Sequence, residues 1–209
     1  MGKMKNGLTG GFSGKVGTLV GLSVKGQNII RNAPKKSSKN PTAGQLSHRQ
    51  KFKLVSNFLR PLNGLIKRHF GSAQKLKSTV NLALAYHLQE AVNQVEDGFV
   101  INLSKVVISK GILQNIFVDT VAIVNKELTL TWSANLVFGS VNKTDVLTVV
   151  LYRKATQSMF ILEQVAERGA GECKVQLPAS FEDTGYGIWI FLTDVDLVEC
   201  STSVFLGEF

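Results

Sequence analysis

Leu128-Thr129-Leu130-Thr131-Trp132 places an apolar side chain at every second position. Such alternation puts the apolar residues on one face of a strand and the threonines on the other. Working outward, β-prone segments recur at 99–103, 105–109, 117–124, 128–133, 145–152, 158–166, 172–177, 186–193 and 201–206. Short strands about 10–15 residues apart, with turn residues between them, predict an antiparallel β-sandwich of the immunoglobulin or fibronectin type over residues 99–209. Trp132 is its candidate core tryptophan.

Upstream the period changes. Thr42-Ala43-Gly44-Gln45 reads as a capping box, with Thr42 at the N-cap and Gln45 at N3. Leu46, Leu54, Val55, Phe58, Leu59, Leu62, Leu65 and Ile66 then keep helical spacing. Pro61 should divide this helix near residue 60, and Gly71 should stop it. A second helix is expected over 80–95, with Leu84, Leu88, Val92 and Val95 near heptad spacing, ended by Asp97-Gly98. Residues 34–41 read as a linker bracketed by Pro34 and Pro41. Before it, eight of the 19 glycines fall within the first 26 residues and punctuate short β-prone runs, with Gly21 and Gly26 as candidate turns. The expected class is therefore α+β: a Gly-rich basic β-arm or hairpin (1–33), a basic linker and helical section (34–98), and an acidic sandwich (99–209). A short ribbon has too little apolar surface to stand alone, so the arm must pair with its own body or with a neighbour.

Charge divides the chain in the same place. Residues 1–89 carry 16 Lys/Arg and no Asp or Glu; residues 90–209 carry 8 and 15, giving +16 and −7 and hence the net +9. A solvated helix face ordinarily mixes signs, because mixed charges supply i,i+4 pairs and avoid self-repulsion. Cations without a local anion call for an anionic partner: nucleic acid, a membrane surface or the acidic half of another copy. The candidate contacts are Lys15, Lys25, Arg31, Lys35, Lys36, Lys39, Arg49, Lys51 and Lys53.

Motifs for chemistry are weak. Gly10-Gly11-Phe12-Ser13-Gly14-Lys15-Val16 fails as a phosphate loop, because Thr9 stands where the first glycine belongs and Val16 where a magnesium-binding hydroxyl belongs. His48, His69 and His87 all fall on the expected helices; the nearest carboxylate to any of them is Glu90, three residues past His87, a spacing that suggests a surface contact. Cys173 and Cys200 have no metal-ligand spacing and read as two buried thiols. Asp194 and Asp196, with Glu182 and Asp183, read as an acidic loop rim in preference to a calcium site. No catalytic, cofactor-binding or metal residue is assigned, and neither cofactor nor small-molecule substrate is expected. No run of about 18 apolar residues is present to span a membrane. The N-terminus lacks a secretory h-region, so synthesis in the cytoplasm without Sec-dependent export is expected.

Gly14-Lys15-Val16-Gly17, Lys25-Gly26-Gln27 with Ile30-Arg31 and Pro34-Lys35, and Asn40-Pro41-Thr42 with Gln45, Arg49, Lys51-Phe52, Phe58-Leu59 and Pro61-Leu62 together resemble domain-of-unknown-function family 6266, mainly from Bacteroidota. Thr129-Leu130-Thr131-Trp132 and the terminal Ser201–Gly207 are similar too, so the resemblance covers nearly the whole chain. It implies no activity and transfers no functional residue. The leading expectation is a non-enzymatic structural protein that self-assembles through its basic arm and acidic sandwich, as a homo-oligomer, filament or phage-like particle. The alternative is a nucleic-acid-binding protein that contacts phosphates through its basic half.

Overall fold

The computed structural model describes residues 2–4, 13–24, 26–35, 40–73, 77–96, 98–133, 141–178 and 185–209. The chain forms two compact units, Met1–Ala43 and Gly44–Phe209.

The first unit is a four-stranded antiparallel sheet: β1 (Gly2–Met4), β2 (Gly14–Val16), β3 (Leu19–Val24) and β4 (Gln27–Asn32), in the order β1-β4-β3-β2. The chain reverses at Gly17-Thr18 and at Gly26, where Gly17 and Gly26 take φ of +60° and +76°. These values lie in the left-handed region that tight hairpins need. Gly26 thus has its expected role and Gly21 does not. Gly21 lies inside β3, between Gly14 and Ile30, because Gly17 has already supplied the turn.

The second unit opens with α1 (Ala43–Leu59), α2 (Asn63–His69) and α3 (Thr79–Glu90). Pro61 separates α1 from α2, as a residue without an N–H and with a fixed φ should. Ser78 caps α3 by accepting from the Asn81 N–H at 3.3 Å. The second helix ends five residues before the expected Val95. Val92–Val95 is instead β5, paired with β6 (Gly98–Ile101). Val92 and Val95 are β-branched, and Gly98, at φ +144°, pairs with Val95 at the start of β6; strand pairing outweighs the heptad spacing.

Seven strands follow: β7 (Val118–Val124), β8 (Glu127–Trp132), β9 (Val146–Arg153), β10 (Ser158–Glu167), β11 (Glu172–Gln176), β12 (Tyr186–Thr193) and β13 (Val204–Glu208). Segment 105–109 is not a strand. A 3₁₀ turn at Leu103–Lys105 leads into it, and Ser203 Oγ accepts from the Ile108 and Ser109 N–H groups, a side-chain substitute for a ladder. The strands form two antiparallel sheets, β10-β9-β12-β13 and β11-β8-β7.

The four-stranded sheet is buried on both faces. Leu147, Val149, Leu151, Ile188, Ile190 and Leu192 share a core with Leu128, Leu130, Trp132 and Cys173 of the other sheet. Val150, Trp189 and Phe191, from the opposite face, share a second core with Val55, Phe58, Leu59, Leu62, Leu65 and Ile66 of the helical section. Every residue of β12 is buried in consequence. A strand covered on both sides loses its alternation and reads as a continuous apolar run, as Gly187-Ile188-Trp189-Ile190-Phe191-Leu192 does.

Candidate interaction surface

The register of the first unit fixes which side chains share a face. Lys15 is opposite Val20, and Val20 is opposite Arg31, so the three form one row across β2, β3 and β4. The two cations flank the valine on the same face, about 10 Å apart backbone to backbone at ordinary strand spacing. The next row on this face pairs Leu22 with Ile29, and the next pairs Val24 with Gln27. An aliphatic stripe of Val20, Leu22, Val24 and Ile29 is thereby bordered by Lys15 and Arg31. The other face carries Gly14, Gly21, Ile30 and Gly2 in a single row, and Val16, Leu19 and Asn32 in the next. Among the described residues of this unit no apolar side chain is fully buried; Val16, Leu19 and Val24 are 65%, 41% and 41% exposed.

The remaining predicted contacts are distributed differently. Lys35 is exposed beyond β4. Lys25, Lys36 and Lys39 lie outside the described residues. Arg49 and Lys53 are exposed on α1, while Lys51 is half-buried with its ammonium 4.6 Å from the centre of the Phe99 ring. That cation–π contact gives Lys51 an intramolecular role. Arg68 on α2, a cation of the basic section outside the predicted set, meets Glu163 of β10 at 2.8 Å, with both side chains more than 40% exposed.

The candidate chemical groups resolve into structural ones. His87 is fully buried and does not make the expected surface contact with exposed Glu90. Its Nδ1 lies 2.7 Å from the Ala83 carbonyl, and its Nε2 accepts from the Val107 N–H at 3.3 Å. Burial holds its pKa below the usual histidine value, against the pull of the Ala83 bond. His69 is also buried, against Phe191, and its pKa is lowered by burial first and by neighbouring Arg68 second. Cys200 donates from Sγ to the backbone carbonyl of His69 at 3.2 Å, not to the imidazole, and burial pushes its thiol up to about 11. Cys173 lies in the other core, is also raised by burial, and is likewise a free thiol. A buried thiol with a raised pKa, unpaired with a ring nitrogen, is a poor nucleophile.

Asp194 does not stand beside Asp196 on a strand. β12 ends at Thr193, and Asp194 Oδ1 accepts from the Val198 and Glu199 N–H groups at 2.7 and 2.9 Å, holding a tight turn. Glu182 and Asp183 lie outside the described residues. Among the described residues, no three His, Cys, Asp or Glu side chains converge to hold a metal. None of the described helices is long and apolar enough to cross a membrane.

The body contains a cleft of about 430 Å³ lined by Phe70, Leu82, Tyr86, Lys110, Gly111 and Ile112, among others. Aliphatic and aromatic side chains share its walls with Ser72 and Lys110, and among the described residues that line it there is no acid–base pair. Sequence reading missed this concavity and the exposed aliphatic residues beside it. Its wall joins α3 to residues 110–112, and no local pattern signals that contact.

No curated protein and no solved structure matches the chain. Residues 11–207 of the 209 match a family of unknown function, DUF6266, and the chain belongs to that family.

Proposed function

We propose that this protein is a non-enzymatic structural subunit whose copies join through the basic N-terminal sheet of one and the acidic body of another, building a filament or phage-like particle. The observation that carries this reading is the face of the first unit on which Val20 lies between Lys15 and Arg31 and Leu22, Ile29 and Val24 continue the apolar stripe from that row. A four-stranded sheet in which β2, β3 and β4 show no fully buried apolar side chain among the described residues gains little from its own packing. An apolar stripe bordered by cations, in a segment without a single carboxylate, suits an apolar surface edged with acids. The acids of the chain all follow residue 89, so each copy carries both halves of the contact.

The body itself we read as an immunoglobulin- or fibronectin-like sandwich carrying a helical layer. Its strand order supports this. If β7, β8, β9, β10, β11, β12 and β13 are lettered A, B, C, C′, E, F and G, the sheets are E-B-A and C′-C-F-G, an immunoglobulin-type order with the extra strand on the C-F-G sheet. Sandwiches of this type expose one face of each sheet; here α1 and α2 cover the outer face of C′-C-F-G.

Size-exclusion chromatography and negative-stain imaging of nuclease-treated protein test the assembly. The expected result is concentration-dependent oligomers; a monodisperse monomer at every concentration would overturn the reading. Both hydrophobic cores lie within Gly44–Phe209, so a protein lacking residues 1–33 should fold and remain monomeric. The alternative, phosphate binding through Arg49, Lys53 and the N-terminal cations, predicts a mobility shift with DNA or RNA at about 50 mM salt that fades steeply as salt rises.

A further inference from the structure

We infer that the turn following β12, together with Ile112, is the surface on which the N-terminal sheet of a second copy docks. This rests on the self-assembly reading and specifies where the acidic body receives its neighbour.

The turn is built to present its tip. A bridge between Thr193 and Cys200 closes its base, the Asp194 N–H donates to the Glu199 carbonyl at 3.1 Å, and the Asp194 carboxylate ties down the Val198 and Glu199 amides. Leu197 takes φ of +57°, a left-handed conformation that non-glycine residues rarely adopt, and this fixes the reversal. Held this way, Val195 and Val198 stand 63% and 75% exposed.

Residues 110–113 run alongside the base of the same turn. The Leu113 N–H donates to the Cys200 carbonyl at 3.0 Å, and Gly111 lies against Cys200 from the other side of Ile112. Ile112, between these two anchors, is 84% exposed and borders the 430 Å³ cleft. Scattered exposed aliphatic residues are ordinary on a protein surface. Three large ones on two segments joined through Cys200, one of them bordering a cleft, mark a contact surface. Asp196 and Glu199 are exposed on the turn, and Asp194 is half-exposed. Lys110 lies on the cleft side of Ile112.

The N-terminal sheet has the complementary chemistry. Its aliphatic stripe can cover Ile112, Val195 and Val198, and its bordering Lys15 and Arg31 face the carboxylates of the turn. Burial of the aliphatic side chains supplies the affinity, and the charges at the rim set orientation and association rate. Donor and acceptor are different surfaces of one chain. Such a contact is heterologous, so copies add head to tail.

The test is charge reversal in the full-length protein, read by sedimentation across a concentration series. Asp196→Lys with Glu199→Lys should weaken self-association by roughly tenfold or more, and Lys15→Glu with Arg31→Glu should do the same. The four substitutions together should restore association, as should a mixture of the two double variants, in which each variant's sheet meets the opposite charge on the other's turn and the two alternate head to tail. Val198→Ser should weaken association without changing its salt dependence. Circular dichroism melts of each variant verify folding; the substituted turn residues are exposed, and Asp194 is left in place. If wild-type protein assembles and the turn variant assembles equally well, this inference fails and the self-assembly reading stands. Failure of the fourfold variant to recover association also overturns it. If wild-type protein is monomeric throughout, both fall.

Discussion

A β-carbon placed on Gly111 would lie 2.0 Å from the carbonyl oxygen of Cys200 and 2.6 Å from its sulfur. The first of these is a backbone atom, so no rotamer change relieves the overlap. Gly111→Ala must push residues 110–113 away from 200–202. It would thereby strain the Leu113–Cys200 hydrogen bond and the paired contacts of Gly111 with Thr202, whose Oγ1 accepts from the Gly111 N–H and donates to its carbonyl. The expected cost is about 1–3 kcal/mol or more, as for other overpacked sites. Gly64→Ala is the control. Gly64 lies within α2 with open space around its Cα, and alanine there should stabilise by about 0.5–1 kcal/mol. Urea denaturation of both variants reads the difference.

Arg168 and Asp145 form a buried ion pair with Nε to Oδ2 at 3.1 Å, the side chains 6% and 1% exposed. The pair is embedded in further bonds. The Arg168 N–H donates to the Asp145 carbonyl at 2.7 Å, the guanidinium also donates to the Gln114 carbonyl, and Trp132 Nε1 donates to the Arg168 carbonyl at 2.8 Å. Removing one charge strands the other. Arg168→Met alone should cost about 3–5 kcal/mol, whereas adding Asp145→Leu to it should recover much of that loss, because desolvation of the pair offsets most of its Coulombic gain. A double-mutant cycle measured by chemical denaturation tests this. The outcome against it is additive losses in the double variant.

Local pattern carried much of this architecture and failed at identifiable places. Strand β12 was legible because its run is long, apolar and bounded by turn residues, and Pro61 announced the break between α1 and α2. That β12 is covered on both faces, by helices on one side, was not legible. The signal lies in the absence of polar residues from alternate positions, and a continuous apolar run does not say which element supplies the second cover. Val92–Val95 read as helix because four apolar residues kept heptad spacing; only pairing with Gly98–Ile101 decides otherwise. At the candidate interface, Lys15 and Arg31 are 16 residues apart in sequence, and only strand register brings them to one row. Ile112, Val195 and Val198 carry no motif at all, since their exposure follows from tertiary contacts through Cys200.

The two thiols should be silent in the folded protein. Cys173 and Cys200 belong to different cores and are 3% and 6% exposed. Burial raises both, and Cys200 at about 11 is almost wholly protonated at pH 8. Since the thiolate is the reacting species, modification by a thiol-reactive disulfide reagent at pH 8 should be slowed by orders of magnitude against the urea-unfolded chain. Both thiols should titrate on unfolding, and air oxidation should produce no intramolecular disulfide. Rapid native-state reaction of either cysteine would contradict the packing described.

His87 makes stability depend on pH in a defined direction. In the fold its Nε2 accepts from the Val107 N–H, so Nδ1 carries the proton and donates to Ala83. Protonating Nε2 would set two donors against each other in a site without water contact. The folded pKa is accordingly below 6.5, chiefly through burial. The unfolded chain takes up this proton near 6.5, so it binds more protons than the fold just below that pH. The stabilisation is thus fully present above about pH 6.5 and is lost as pH falls from there toward the folded pKa, with a slope approaching about 1.4 kcal/mol per pH unit for this one group. His69, lowered in the same direction, steepens the same window. Urea midpoints measured between about pH 5.5 and 7.5, above the range where most carboxylates titrate, should therefore fall with acidification. His87→Gln removes the titration while keeping a side-chain acceptor for Val107. It should lower stability at pH 7.5 and flatten the slope by close to one proton.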